Sequence, residues 1–307
     1  MGAAAARAIR GRRLGNEGFV ITVRAMDRLI QWCRRHRVLT GAAAGLYFAA
    51  VVLLHEEASK ISVWLQGRLS LRLYDTLISA LGVVSAIALS PLVVASVGRA
   101  DRRGLKIFYW GFTAFLVVAS YNTLLVANLE SIHFPQYALL AVPVFALTTS
   151  FGTTVLAVTL LGAIDEAYQF FVLKNWKYLD FNDIILNLVG AGIGALLVFT
   201  FSTRRPAAGS RPLWRLVRSP LFLATLLVAA AGYLLYLLGL LTLYPGPAAA
   251  GAWIVLGKVA PSDTFWIRLP WGRTYHVLTP IEGLVLVALL TGCYAFMDSE
   301  ASPSNQL

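Results

Sequence analysis

Residues 183–201 read DIILNLVGAGIGALLVFTF, a nearly unbroken apolar run that opens with an acidic residue. From Ile184 to Phe201 the run approaches the length of about 20 residues that a membrane-spanning helix needs. Four of its residues fall on one helical stripe, at steps of 4, 3 and 4: Asp183, Asn187, Gly190 and Gly194. The two glycines form a Gly-x-x-x-Gly pair, which allows close helix packing. The stretch predicts a transmembrane helix packed tightly against a neighbour, and the preceding span is the obvious one.

The composition of the whole chain points the same way. Of the 307 residues, 58% are hydrophobic and only 13% are charged, and the mean hydropathy is +0.70. A soluble domain has about 25% charged residues, so this chain cannot cover a water-facing surface. The composition excludes a soluble enzyme, a disordered chain and a fibrous repeat. It predicts an all-α fold, a polytopic transmembrane helical bundle.

Eight stretches reach or approach the length of a membrane span. They are Val38–Leu54, Leu77–Val97, Ile107–Ala127, Tyr137–Ser150, Thr153–Leu173, Ile184–Phe201, Pro220–Leu243 and Ile281–Met297. Only Phe151 and Gly152 separate the fourth from the fifth, which predicts a tight helical hairpin. Short runs between residues 253 and 275 are strand-like and predict a small outer segment.

The distribution of the basic residues predicts the orientation. When alternate loops are compared, one side holds 18 of the 26 Lys and Arg residues, and the other side holds 10 of the 15 acids. The positive-inside rule places the Arg-rich side, with both termini, in the cytoplasm. The predicted location is therefore the inner (plasma) membrane. The net charge of +11 reflects orientation, with attraction to anionic lipid and no nucleic-acid binding.

The predicted organisation has five parts. They are a cytoplasmic basic amphipathic segment (1–37), a transmembrane domain (38–201), a basic cytoplasmic loop (202–219), a C-terminal transmembrane pair with an outer loop at 244–280 (220–297), and a cytoplasmic tail (298–307). In the first part, one helical face carries Phe19, Val23, Met26, Ile30 and Cys33. That face suits a helix on the inner leaflet or one packed on a cytoplasmic loop.

Polar residues concentrate at the predicted outer ends of three spans. Because ionisable groups inside a membrane are costly, each is a functional candidate. His133 lies just before the fourth span, which opens with Tyr137. The fifth span carries Glu166 and Gln169, and the sixth opens with Asp183 and Asn187. A short loop with Lys177 joins the last two spans.

Each candidate has a functional and a structural interpretation. As a functional residue, Glu166 suits a general acid or base, or an anchor for a cationic head group in an outward-open cavity. As a structural residue, it suits a carboxyl group that is protonated or bonds Gln169 and Asn187. Asp183 suits a helix cap, alone or while pairing with Lys177. His133 suits proton transfer or phosphate binding, or an ordinary interfacial histidine.

The sequence contains no motif typical of serine hydrolases, nucleotide-binding proteins or zinc enzymes. It lacks Gly-x-Ser-x-Gly, the phosphate-binding Gly-x-x-x-x-Gly-Lys-Ser/Thr loop and His-Glu-x-x-His. Four scattered His and two Cys do not have zinc-site spacing. We therefore expect no metal and no cofactor.

One ordered set of residues resembles a known family. The set is His133, Phe134, Tyr137, Glu166, Gln169, Lys177, Asp183, Asn187, Gly190 and Gly194. Its order and spacing resemble the VanZ-like family of bacterial integral membrane proteins, over residues 38–201. Two positions depart from the family: Leu129-Glu130 stands where Asp-Lys is usual, and Lys177 where Arg is usual. The resemblance implies a link with glycopeptide (teicoplanin) resistance, without a settled biochemical activity.

Three functions follow as hypotheses. In the first, the outer cluster binds the polar head of a cell-envelope molecule, a lipid-linked glycan or phosphate. Glu166, His133 and Asp183 are then the candidate catalytic residues, and Gln169, Lys177, Asn187 and Tyr137 the candidate binding residues. In the second, the protein is a non-catalytic partner or scaffold of an envelope-synthesis complex. The third, a proton-coupled transporter, has the least support, because only Pro143 hints at a broken helix.

Overall fold

The computed structural model describes residues 21–98, 103–173, 179–202, 212–244, 251–257, 265–269 and 272–301. Eleven helices dominate these residues. They are α1 (Ile21–Arg35), α2 (Arg37–Leu53), α3 (His55–Leu69), α4 (Leu71–Gly98), α5 (Arg103–Thr123), α6 (His133–Thr148), α7 (Phe151–Tyr168), α8 (Phe181–Phe201), α9 (Pro212–Val217), α10 (Pro220–Leu237) and α11 (Pro280–Ala295). A π-helical segment, Gln169–Leu173, continues α7, and 3-10 helices cover Asn128–Ile132 and Phe296–Ala301.

Six helical segments in the described residues are long and apolar enough to cross a membrane. Two bent pairs raise the number to as many as eight: α1 with α2, bent by 104°, and α3 with the first part of α4, bent by 118°. The helical character of the predicted bundle is confirmed. The prediction of eight spans corresponds to counting each bent pair once.

Helix α8 is the central element of the bundle. In its most apolar stretch 83% of the residues are buried, whereas the corresponding fraction for α10 is 0%. A Cβ atom at Gly190 would lie 2.8 Å from the carbonyl oxygens of His133 and Phe134. A Cβ atom at Gly194 would lie 2.7 Å from Ala141 Cβ. The glycine pair therefore packs against α6, and the expectation that it faces the preceding span was wrong.

The preceding span, α7, meets α8 at another point. A Cβ atom at Gly162 would lie 2.6 Å from Asn187 Nδ2, so the missing side chain of Gly162 makes room for the Asn187 amide.

The predicted tight hairpin between the fourth and fifth spans is confirmed. Thr149, with a left-handed φ of 59°, ends α6, and the Ser150 side chain caps α7 by accepting from the Thr153 backbone at 3.3 Å.

Helix α1 packs on the protein. Ile30 and Cys33 are buried in the main apolar core, and Met26 packs against that core. Of the two interpretations of this amphipathic face, packing on protein fits these residues better than a helix resting on the leaflet. Phe19 lies outside the described residues.

Four short strands form two small sheets in the C-terminal third. Strands β1 (Leu241–Thr242) and β2 (Ile254–Val255) are parallel, and β3 (Trp266–Arg268) and β4 (Thr274–His276) form an antiparallel hairpin. The strand-like segment predicted between 253 and 275 is confirmed by β2, β3 and most of β4, and β1 is an addition.

The buried Asn182 side chain ties these elements to α8. It donates to the carbonyl oxygens of Leu124 and His276, each at 2.8 Å, and accepts from the Leu278 backbone at 2.9 Å. One side chain therefore joins the start of α8 to the end of α5 and to the chain that follows β4. Arg273, at the start of β4, adds bonds to the Tyr121 carbonyl at 2.6 Å and to Asn128 Oδ1.

Replacing Arg273 with Met should loosen the β3–β4 hairpin while leaving the helical bundle folded. The two hydrogen bonds of the guanidinium and its position over the Tyr121 ring, 5.2 Å from the centroid, are lost. We expect the local opening free energy to fall by about 1–2 kcal/mol. Hydrogen exchange at residues 272–276 measures this change.

Arg268→Met on β3 is the matched control. The Arg268 side chain is exposed and makes no hydrogen bond to another described residue. Equal exchange rates in the two variants would contradict the anchoring role of Arg273.

Candidate functional site

The predicted polar residues meet where three helix ends come together. Helices α6 and α8 begin at this end of the bundle and α7 ends there, because the three run alternately up and down. The first turns of α6 and α8 are therefore level with the last turn of α7. We call the residues that meet there the polar cluster: His133, Tyr137, Asp165, Glu166, Gln169, Asp183 and Asn187.

His133 joins α6 to the polar stripe of α8. Its Nδ1 lies 2.7 Å from Asn187 Oδ1, and its Nε2 lies 3.8 Å from Asp183 Oδ1. Since an amide oxygen only accepts, Nδ1 carries a proton in this pairing. The longer separation exceeds a hydrogen bond, so the interaction with Asp183 is electrostatic. The spacing of four residues on α8 sets these two contacts one turn apart.

Tyr137 joins α6 to α7. Its hydroxyl donates to Asp165 Oδ2 at 3.0 Å, and its ring is stacked on His133 with centroids 6.1 Å apart. The other carboxylate oxygen, Asp165 Oδ1, is buried and has no hydrogen-bond partner in the described part of the chain. The same holds for Asn187 Nδ2, the amide nitrogen beside Gly162. One hydrogen-bond acceptor and one hydrogen-bond donor inside the cluster thus have no partner among the described residues.

Glu166 is paired along its own helix. Its Oε1 accepts from Gln169 Nε2 at 3.1 Å, and both residues are buried. A bond from Glu166 to Gln169 was one expectation, but the expected partner Asn187 is bonded to His133 instead. Gln169 also opens the π-helical segment, and such widened turns occur frequently at functional sites.

The carboxylates of the cluster act on one another. Glu166 lies within electrostatic range of Asp183, Asp180 and Asp165, and Asp183 within range of Asp165. Among the described residues, no Lys or Arg forms an ion pair with Asp165, Glu166 or Asp183. Lys177, predicted to pair with Asp183, lies outside the described residues. The described part of the cluster is therefore acidic.

Asp180 occupies the capping position that Asp183 was expected to fill. Its side chain accepts from the Asn182 backbone at 2.9 Å at the start of α8. Asp183 follows in the first turn of α8, where its Oδ1 lies 3.8 Å from His133 Nε2. The cap interpretation of Asp183 was wrong, and its carboxylate belongs to the cluster.

Two members of the site were not singled out from the sequence. Asp165 stands beside Glu166 in the fifth predicted span but was not among the predicted site residues. His55, between α2 and α3, follows the first predicted span, and its position in the sequence suits either a hydrated helix end or a residue lining the outer cavity. It is half-buried and within electrostatic range of Asp165 and His133. Its only sequence signal was a histidine at the end of a span.

No described group of three or more His, Cys, Asp or Glu side chains is arranged to hold a metal ion. The cluster therefore offers proton-transferring and hydrogen-bonding groups: one imidazole, one phenol, three carboxylates and two amides. These groups can bind a polar molecule, pass protons or hold the helices together.

No family model, curated protein or solved structure matches this chain. The resemblance to VanZ-like proteins consequently rests on the residues of this chain. In the structure, six of its motif residues lie in the polar cluster, and Gly190 and Gly194 lie directly beneath on the α6–α8 contact.

Proposed function

We propose that this chain is a VanZ-like protein of the bacterial plasma membrane that binds the polar head of a lipid-linked cell-envelope molecule. In this proposal the chain has eight spans, both termini are cytoplasmic, and the polar cluster lies near the outer surface. The convergence of the motif residues from α6, α7 and α8 supports it. Such convergence is what a shared binding site requires, since residues 133 and 187 are far apart along the chain.

The observation that carries the proposal is the unpaired donor and acceptor inside the cluster. Asp165 is 1% exposed and Asn187 is 0% exposed, yet Asp165 Oδ1 and Asn187 Nδ2 have no partner among the described residues. A buried polar group without a partner costs about 1–3 kcal/mol. A network that served only to join helices would be expected to pair both groups. A bound head group with hydroxyls can satisfy both at once, because a hydroxyl donates and accepts.

The charge of the cluster favours a glycan head over a bare phosphate. Asp165, Glu166 and Asp183 have no Lys or Arg partner among the described residues, so the described part of the cluster offers a phosphate no Lys or Arg to pair with. Glu166, Asp183 and His133 are also suited to general acid or base chemistry without a cofactor. Sequestration of an envelope precursor by this site is a route by which such a protein would change sensitivity to a glycopeptide such as teicoplanin.

A second candidate function is a scaffold for an envelope-synthesis complex. In that case the hydrogen bonds of the cluster only hold the helices together. The burial of the cluster favours it: Glu166 is 2% exposed, and His133, Tyr137 and Gln169 are buried and hydrogen-bonded. The two functions differ in what a mild substitution does. Removing a charge from a binding site reduces the amount of bound ligand. Removing a contact that holds the helices together reduces the amount of folded protein.

Substituting Glu166→Gln and Asp183→Asn should remove a co-purifying polar lipid at normal protein abundance. Both changes keep the shape of the side chain and remove its charge. We expect at least about a tenfold loss of the lipid, equivalent to about 1.4 kcal/mol of binding free energy. Mass spectrometry of lipids extracted from the purified protein measures the loss, and teicoplanin sensitivity of the cells is compared in parallel.

The matched control is Glu57→Gln on α3. Its carboxylate is 61% exposed and pairs with Lys60 at 2.8 Å, an interaction of little energetic value at a surface. Unchanged lipid content and teicoplanin sensitivity in both cluster variants, at normal abundance, would overturn the proposal. A fall in abundance before any change in lipid would favour the scaffold.

A further inference from the structure

We infer that the head group held by the polar cluster carries a protonated primary amine, seated between Asp165, Glu166 and Asp183. The inference rests on the proposed function and names the chemistry of its ligand. The glycan alternative above requires only hydroxyl groups. An amino sugar, or a head modified with an ethanolamine group, adds the positive charge that the site lacks.

The first argument is the balance of charge. Three carboxylates from α7 and α8 interact electrostatically, and none has a Lys or Arg ion-pair partner among the described residues. A buried carboxyl group favours its neutral form unless an opposite charge is close, so a bound ammonium group would stabilise the charged form of these side chains. His133 offers limited compensation, because its Nε2 is 3.8 Å from Asp183 Oδ1 and its Nδ1 is engaged by Asn187.

The second argument is the pattern of free hydrogen-bonding groups. An alkylammonium group has three N–H donors and no acceptor. Asp165 Oδ1 is buried and unpaired within the described residues, and Asp165 is within electrostatic range of Glu166 and Asp183. One N–H directed to this oxygen would satisfy it, and the remaining donors would face Glu166 and Asp183. Asn187 Nδ2, also unpaired, would then donate to a sugar oxygen.

The third argument excludes competing cations. A quaternary ammonium has no N–H donor, so it would leave Asp165 Oδ1 without a hydrogen bond. A metal ion would require three or more ligands arranged around one point, and no described group has that arrangement. Of these three cations, a primary amine is the one that supplies the N–H donors and does not need a metal-ligand arrangement.

The site also reaches the protein surface. The side chain of Asp183 is 18% exposed, while Asp165 and Glu166 are almost fully buried. Ile164, beside Asp165, and Phe171 and Val172, in the π-helical segment, are exposed apolar side chains. This combination of an apolar exterior and a partly open carboxylate suits a molecule whose acyl chains stay in the lipid.

The test compares glycolipids whose sugars differ in one substituent: a free amine, an N-acetylated amine or a hydroxyl. The full chain is purified in detergent and offered glucosaminyl, N-acetylglucosaminyl and glucosyl diacylglycerol, and bound lipid is quantified by native mass spectrometry. We expect the glucosaminyl lipid to bind at least tenfold better than the other two. Asp165→Asn and Glu166→Gln should bring the ratio close to one, while Glu57→Gln should keep it.

Two further arms identify the source of the amine. Phosphatidylethanolamine is compared with phosphatidylcholine, which carries the same phosphate but no N–H donor, and soluble glucosamine is offered as a competitor. Preference for phosphatidylethanolamine alone supports the amine with a phosphoethanolamine source. Competition by soluble glucosamine supports an amine recognised without its lipid.

The outcomes separate the two proposals. If glucosyl and glucosaminyl lipids bind equally and Glu166→Gln weakens both, the amine inference is overturned and the proposed function survives. If no lipid binds, or the variants bind every lipid as the wild type does, both are overturned. The comparison of the free and N-acetylated amine needs no variant, so a variant that fails to fold leaves the inference tested.

Discussion

Replacing Gly194 with alanine should lower the free energy of unfolding by about 3 kcal/mol, the largest effect we expect from one added methyl group. The new Cβ atom would overlap the carbonyl oxygen of Ala138 and lie 2.7 Å from Ala141 Cβ. Both neighbours belong to the compact surface of α6, with no long side chain that could move aside. Helices α6 and α8 would therefore have to separate.

Thermal unfolding of the purified protein in detergent measures the loss. Gly232→Ala on α10 is the matched control, because a Cβ atom there meets nothing within 4 Å. Alanine in a helix interior is favoured over glycine by roughly 0.5–1 kcal/mol in water, so the control should be neutral or stabilising. Equal midpoints for Gly194→Ala and Gly232→Ala would contradict the close α6–α8 packing.

The second large effect is expected at the opposite end of α7, from Asp298→Ala. The Asp298 carboxylate accepts from Ser150 Oγ at 2.7 Å and from the backbone of Phe151 at 2.9 Å and Gly152 at 3.2 Å. It supplies acceptors to the first N–H groups of the helix, which have no partner within the helix itself. Alanine would leave these buried donors unpaired, at a cost of about 2–3 kcal/mol.

The matched variant here is Asp298→Asn, which keeps one acceptor oxygen and should lose about 1 kcal/mol. Thermal midpoints in detergent compare the two. Lipid binding should be unchanged in Asp298→Asn, because the polar cluster lies at the other end of the spans. A stable Asp298→Ala variant would show that water or another side chain can replace the carboxylate.

Some of the structure could be predicted from the sequence because membrane insertion leaves a strong pattern. Uninterrupted apolar runs gave the helices, and the four-residue and three-residue steps of α8 gave its polar and glycine stripe. The convergence of His133, Glu166 and Asn187 near one end of the bundle followed from the alternation of spans. Each of these features depends on local sequence or on chain direction alone.

Other features depend on contacts that no local pattern contains. Gly190 and Gly194 indicate a close approach but do not say which helix approaches, and α6 occupies the place expected for α7. The bend at Leu54, which brings His55 towards Asp165, involves neither Pro nor Gly. The sequence predicted Asp183 as the cap of α8, but the helix begins two residues earlier, at Phe181, and Asp180 caps it.

The Asn182 side chain bears on how such a protein can evolve. Its three hydrogen bonds join residues from before and after α8, and Phe181 beside it packs on Gly283 of α11. The C-terminal third is thus not an independent module that a gene fusion could add or remove in one step. Its loss would leave one N–H and the oxygen of the buried Asn182 amide, next to the polar cluster, without the partners that they have in this structure. We expect the residues at positions 181 and 283 to change together among descendants of this gene.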